Sequence, residues 1–189
     1  MFKIEKYTVK NNPRTIAQEM IDAQGDVRFM ASGSFAAVYS AAKSAVVYKI
    51  GNIESNYAYL SYLKVLAKQT IHNPFTPKIY GLRYITDKTG DGVFVVAMER
   101  LKELPDDYCE IPDYFEEHVV FDSRNSDYSR TEKVLGIQTV VPPTLKKAFK
   151  LLKAAFKEGN KSRPGCSWDL HTGNFMMRGK QIVCIDPLS

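Results

Sequence analysis

Two acids and an amide close to the end of the chain raise the question of what this protein does. Asp169 precedes Asn174 by five positions, and Asp186 lies twelve residues further on, all within "WDLHTGNFMMRGKQIVCIDPLS" (168–189). A loop aspartate can act as a base towards a hydroxyl, while an asparagine and a second aspartate offer the hard oxygens that Mg2+ prefers. Upstream, "MASGSFAAVY" (30–39) is a small-residue turn between two strand-like runs. Such a turn lets backbone amides approach a phosphate. Lys49 follows in "VVYKI", beside Val47 and Ile50, where burying an ammonium is costly unless it is paired. Taken singly, each feature has a plain structural role: a hairpin turn, a lysine snorkelling to water, a helix cap, a turn residue, a strand-end acid before Pro187. Taken together and in this order, they favour the handling of phosphates.

The elements that must position these residues follow from pattern. Residues 2–9 suit a short strand, and Pro13 opens a helix through Ile16, Met20 and Ile21 that ends near Gly25. Residues 27–51 are expected to form strand, turn, strand, turn, strand. Residues 55–69 suit a helix with Ser55 as N-cap and Leu60, Leu63 and Leu66 on one face. "PKIYGLRYI" and "VFVVAMERL" suit two strands, joined by "TDKTGDG" with Asp-Gly as the turn signal. The acidic, aromatic stretch 102–143 has no clear period, and a short helix near 112–119 is expected in it. A strong helix is expected over 144–158, with Leu145, Phe149, Leu152 and Phe156 in one stripe, its lysines over the remaining surface and Gly159 as its stop.

Composition narrows the class. The chain has 189 residues, 44% hydrophobic and 25% charged, the profile of a soluble globular protein of one domain or two lobes around a cleft. No run approaches a membrane span, and "MFKIEKYTVK" alternates charged and apolar residues unlike a signal peptide. Cys109, Cys166 and Cys184 lack CxxC spacing, and His72, His118 and His171 are far apart, which argues against a disulfide framework or a zinc site. The net charge of +5 suits an acidic partner; direct nucleic-acid binding is not expected from it alone.

These residues resemble the protein-kinase-like fold. "MASGSFAAVY" resembles the glycine-rich loop, "VVYKI" the strand of the nucleotide lysine, "VVAMERL" the hinge between lobes with Met98 near the gatekeeper, "DLHTGN" the catalytic loop and "IVCIDP" the segment ending in the metal-binding Asp. Within that fold, "GSFAAVYS", "DLHTGNFMM" and "IDPLS" are similar to the early serine/threonine protein kinases of T-seven-like podophages, over roughly residues 27 to 189. The resemblance implies an α+β fold: an antiparallel-sheet N-lobe with one main helix over 1–101, and a reduced, mostly helical C-lobe over 102–189. It implies a Mg-ATP-dependent kinase in the cytoplasm of a host bacterium. Its substrates would be host proteins, acidic or related to transcription or translation, and the kinase itself.

Carried over by residue, the resemblance gives Gly33, Ser34 and Phe35 the ATP phosphates, Lys49 the α- and β-phosphates, and Glu99 to Leu101 the adenine. Asp169 would accept the substrate proton, and Asn174 and Asp186 would hold Mg2+. His171 would take the place of the lysine that contacts the transferred phosphate. Glu54 is the candidate partner of Lys49, or otherwise a favourable charge at a helix N-terminus. Ser189 is a candidate self-modification site. The chain departs from the family pattern at Ala31 and Ala36 in the loop, at Ser167-Trp168 before the catalytic Asp and at Pro187-Leu188 after the metal Asp. Trp168 is expected to pack under the catalytic loop. The lower lobe is expected to be made from residues 102–166 plus the final loop, with 104–132 a surface loop or, alternatively, an insertion that binds substrate or partner. Two other classes remain: a catalytically weak kinase-like protein that binds and inhibits a host factor, and a phosphotransferase acting on a small molecule.

Overall fold

β-Branched and aromatic residues in alternation build a six-stranded sheet from the first hundred residues. Its strands are β1 (Lys3–Thr8), β2 (Val27–Ser32), β3 (Ala36–Ala41), β4 (Val46–Asn52), β5 (Ile79–Thr86) and β6 (Gly92–Glu99). The computed structural model describes residues 2–33, 36–121, 129–135, 137 and 141–189. The sheet order is β1-β5-β6-β4-β3-β2. Every pairing is antiparallel except β1 with β5, which is parallel, so the sheet is mixed where a wholly antiparallel one was expected. The chain between β1 and β5 runs through the helix α1 (Pro13–Asp22), the strands β2 to β4 and a second helix, a long connection of the kind a parallel pairing needs.

Helix α1 starts at Pro13, as its sequence predicts, and Asn12 caps it, with Oδ1 accepting from the amides of Arg14 and Thr15. Its Ala17 and Ile21 pack on Ile50, Ile85, Val93 and Val95 from one sheet face. The turn between β5 and β6 is closed by Asp87, whose Oδ1 accepts from the amides of Thr89 and Asp91. Gly90, at φ 95°, supplies the left-handed residue there. Gly92 of the expected Asp-Gly signal already belongs to β6.

The contacts divide the chain into two compact units, Met1–Tyr57 with Lys78–Arg100, and Ala58–Pro77 with Leu101–Ser189. The helix α2 (Tyr57–Ala67), read from sequence with the first half, therefore groups almost entirely with the second. It is buried nearly all round, including Tyr59, Leu60, Tyr62, Leu63 and Leu66. Ser55 is not its cap. Ser55 lies in the preceding turn, where its amide and that of Glu54 donate to Asn52 Oδ1.

The second unit adds α3 (Ile111–Glu116), which runs into a π-helical turn over Glu117–Phe121, then α4 (Ser129–Val134) and α5 (Pro143–Ser162). A small sheet of order β7-β8-β9 joins β7 (Lys102–Glu103), β8 (Phe175–Arg178) and β9 (Gln181–Cys184). Its core is aromatic. Phe115 meets Phe149 and Phe175 edge-on at centroid distances of 5.2 and 4.9 Å. Such pairs contribute about 0.5–1.5 kcal/mol each beyond their buried area. Helix α5 passes through Gly159 rather than stopping at it. A Cβ at Gly159 would lie 2.7 Å from Cys166 Sγ, so this glycine permits close packing instead. The α+β class expected from the sequence is the class observed. Among the described residues, no helix is long and apolar enough to cross a membrane.

Candidate active site

The second unit gathers Asp169, His171, Asn174 and Asp186 through backbone hydrogen bonds. At the start of the loop, the amide of Asp169 donates to the Pro187 carbonyl at 2.9 Å, and Trp168 bridges Leu188 in antiparallel register. Ser167 and Ser189 exchange both backbone bonds, at 2.8 and 3.0 Å, and their hydroxyls lie 2.8 Å apart. The segment after the metal-type aspartate is thus laced to the segment before the base-type aspartate. Trp168 stacks on Phe156 of α5, with centroids 4.7 Å apart and rings 3° from parallel, which is the packing role expected for it.

Within the loop, Thr172–Asn174 forms one 3-10 turn capped by His171, whose Nδ1 accepts from the Gly173 amide at 3.2 Å. That bond assigns the neutral ring's proton to Nε2, which lies 3.7 Å from Asp169 Oδ1. Gly173 makes the geometry possible, because a Cβ there would sit 3.0 Å from the His171 ring. Asp169 and His171 side chains are 40% and 60% exposed, so both are open to an incoming acceptor.

Asn174 is buried, and its Nδ2 donates to the Asp169 carbonyl at 2.7 Å. This bond fixes the amide's orientation and turns Oδ1 away from the Asp169 backbone. The Asn174 carbonyl in turn accepts from Ile185 at 2.8 Å, continuing the β8–β9 ladder and setting Asp186 at the same hairpin end as Asn174. Asp186 Oδ1 is screened from solvent. Burial, and behind it the negative charge of Asp186, holds the Tyr59 hydroxyl and the Cys184 thiol well above their ordinary pKa values. The strand leading to Asp186 is anchored by the Tyr62 hydroxyl, which donates to the Cys184 carbonyl at 2.9 Å, and by the Cys184 amide, which donates to Phe75 at 3.0 Å.

This donor set fits Mg2+ shared with a substrate rather than a metal held by protein alone. Asn174 and Asp186 bring hard oxygens to one hairpin end, and Mg2+ commonly takes one or two carboxylates plus phosphate oxygens and waters. Among the described residues, no group of three or more His, Cys, Asp or Glu forms a self-sufficient metal cage.

The first unit holds the other expected residues. Lys49 sits mid-sheet on β4, in register with Val38 of β3 and Val96 of β6. Its neighbours Tyr48 and Ile50 pack with the α1 core, so strand alternation directs Lys49 to the face away from α1. On that face Gly51 lies against Phe94, and a Cβ there would come within 2.5 Å of the ring. Gly33 is exposed, and its amide donates to the Ala36 carbonyl at 2.9 Å. The turn therefore already uses the Gly33 N–H expected to face a phosphate. Ser34 and Phe35 lie outside the described residues. Glu54 is exposed in the turn before α2, not at the start of the helix. Glu99 is also committed: its amide donates to Lys78 O at 3.0 Å, and its carboxylate accepts from the Lys78 amide at 2.7 Å. Its N–H is not available to an adenine, and Leu101 begins the second unit.

Sequence reasoning passed over Gly173, Tyr62 and the Ser167–Ser189 pairing. Gly173 was within reach, since a glycine two residues after a histidine in a tight loop signals close approach. The other two depend on contacts between residues far apart in the chain.

No family model matches the chain, and no curated protein sequence matches it. Among solved structures, it is similar to the GDP complex of wild-type aminoglycoside 2'-phosphotransferase-IIIa, with TM-score 0.40 and 12% identity over 95% of this chain and 75% of that one. It is also similar to the streptomycin–ATP–APH(2")-IIa ternary complex, with TM-score 0.37 and 14% identity over 95% of this chain and 72% of that one. At these values the likeness transfers no residue's role.

Proposed function

We propose that this chain is a Mg-ATP-dependent phosphotransferase, and that its acceptor is a serine or threonine of a protein. One observation carries the proposal: the loop 169–174 clamps its own Asp169 carbonyl with Asn174 Nδ2 and leaves the Asp169 carboxylate partly open to solvent, while the Ile185–Asn174 backbone bond sets Asn174 and Asp186 at one hairpin end. That is the division of labour phosphoryl transfer needs, with a base near the acceptor and hard oxygens for the metal. Asn174 and Asp186 would hold Mg2+, which supplies charge neutralisation on the transferred phosphate. Lys49 would contact the α- and β-phosphates. Asp169 Oδ1 would take the proton of the attacking hydroxyl, and His171 Nε2–H would donate to an equatorial phosphate oxygen. By its resemblance, the enzyme is made by a phage and modifies proteins of the host bacterium and itself. Ser189, whose hydroxyl meets that of Ser167, is its candidate self-modification site.

The test is label transfer from γ-labelled ATP to the protein itself, to a bacterial extract and to hydroxylated small molecules, with intact mass read in parallel. Added multiples of one phosphate in the parent and none in Asp169→Ala support the proposal. Transfer to small molecules alone moves the acceptor class. A Mg-ATP thermal shift without any transfer favours the weak kinase-like binder of a host factor. Neither shift nor transfer sinks the nucleotide reading.

A further inference from the structure

Outside α5, the chain is electrically balanced. The helix carries six lysines and one glutamate; removing these from the chain's 26 cations and 21 anions leaves 20 of each. The whole net charge of +5 therefore resides on one helix. At helical pitch, Lys146, Lys150, Lys153, Lys157 and Lys161 fall within an arc of roughly 80° and span about 22 Å along the axis. Lys147 flanks the arc. The buried residues Leu145, Ala148, Phe149, Leu152 and Ala155 occupy the opposite side. Lys146, Lys147, Lys150, Lys157 and Lys161 are exposed.

Lysines three and four apart repel, so this row opposes the helix it stands on. A helix face that serves only solubility mixes both signs. The row also lacks what nucleic-acid surfaces use: it has no arginine for bidentate phosphate contacts and no aromatic ring to stack a base. What it offers is a line of point charges at helical spacing, complementary to carboxylates spaced i, i+4, i+7, i+11 and i+15. The helix also bears on the catalytic loop, through the Phe156–Trp168 stack and through Asn160 Nδ2, which donates to the Cys166 carbonyl at 3.3 Å.

We infer that the lysine row of α5 is a docking surface for an acidic, helix-forming segment of the protein substrate. Its role as a substrate dock rests on the phosphotransferase reading; the binding itself does not. The probe is a fluorescein-labelled Ala/Glu peptide of about 18 residues, long enough to span the row, with glutamates at the matching spacing. A peptide of the same composition with scrambled spacing and a duplex DNA of similar length serve as comparisons. Anisotropy is read without ATP, at low and at physiological salt.

The patterned peptide is expected to bind about tenfold more tightly than the scrambled one. Replacing Lys146, Lys150, Lys157 and Lys161 together with Gln is expected to weaken it by about tenfold or more, with an unchanged circular dichroism spectrum. Equal binding by parent and variant, or by patterned and scrambled peptides, overturns the inference. Tighter binding of the DNA reassigns the row to nucleic acid. Residues 103–117 hold seven carboxylates and no cation, so dimerisation of the parent but not of the variant reassigns the row to a second copy of this chain. In the phosphotransfer assay, an acceptor fused to the patterned segment should show a raised KM and an unchanged kcat with the variant. Peptide binding without any phosphotransfer leaves the docking surface standing and defeats the functional reading alone.

Discussion

The two sets of residues expected to handle a nucleotide are built in different ways. Around Asp169 the chain is tied at nearly every residue: Ser167 to Ser189, Asp169 to Pro187, Asn174 to both Asp169 and Ile185, and Gly173 to the His171 ring. Around Gly33 the described ties are the turn bond to Ala36 and the β2–β3 ladder that ends at Ser32 and Ala37, and a Cβ on Gly33 would meet nothing within 4 Å. The difference fits what each set would do in the proposed phosphotransfer. A base and metal ligands act through positions fixed to a fraction of an ångström, and hydrogen bonds made beforehand spare that ordering at the moment of reaction. A turn that covers phosphates works through backbone amides and tolerates adjustment when a ligand arrives.

Substitutions can break or sharpen that contrast. The largest effects belong to Asp169→Ala and Asp186→Ala, each expected to lower label transfer by about 10²–10⁴-fold while the protein stays folded. Asn174→Ala removes a candidate metal oxygen and also the clamp on the Asp169 carbonyl. It should therefore lose activity and, unlike Asp169→Ala, stability as well, by about 1–3 kcal/mol in urea unfolding. An Asn174→Ala protein as stable as the parent would show that the loop does not depend on its own ties.

A pair of glycine substitutions tests both sides at once. Gly173→Ala pushes on the His171 ring and should cut turnover by about tenfold, whereas Gly33→Ala should stay within about twofold and about 0.5 kcal/mol of the parent. Equal damage from the two would erase the distinction.

The smallest effect concerns the sheet edge that supports the first unit. The hydrogen bond from Lys3, then that from Arg83, holds the Glu5 carboxyl down at about 2, below its ordinary value of 4.5. A depressed acid stabilises fully above its ordinary value and loses that contribution as pH falls towards 2. The small difference in melting temperature between the parent and Glu5→Gln should be constant above pH 5 and shrink as the pH is lowered from 4.5 to 2.

Much of this was legible before any coordinates. Pro13 with Ile16, Met20 and Ile21 marks α1, alternation marks the strands, and the Leu145, Phe149 and Leu152 spacing marks α5, because each signal is local. The failures have a common cause. Ser55 looked like a cap, but Asn52 took the neighbouring amides. Gly159 looked like a stop, but it accommodates Cys166. In each case a contact outside the helix's own repeat decided the residue's role.

By itself, the sequence determined the order and chemical identity of the candidate groups: a small-residue turn, a strand lysine, Asp169, Asn174 and Asp186, together with a lysine row that carries the chain's entire net charge. Only the tertiary structure decided which atoms of those groups are already spent and which are presented. It fixed Asn174 by the Asp169 carbonyl, oriented His171 by the Gly173 amide and committed Gly33 to its own turn. The physical reason is that a hydrogen-bonding group's chemistry is written in its residue type, whereas its availability depends on which neighbours the fold brings within about 3 Å.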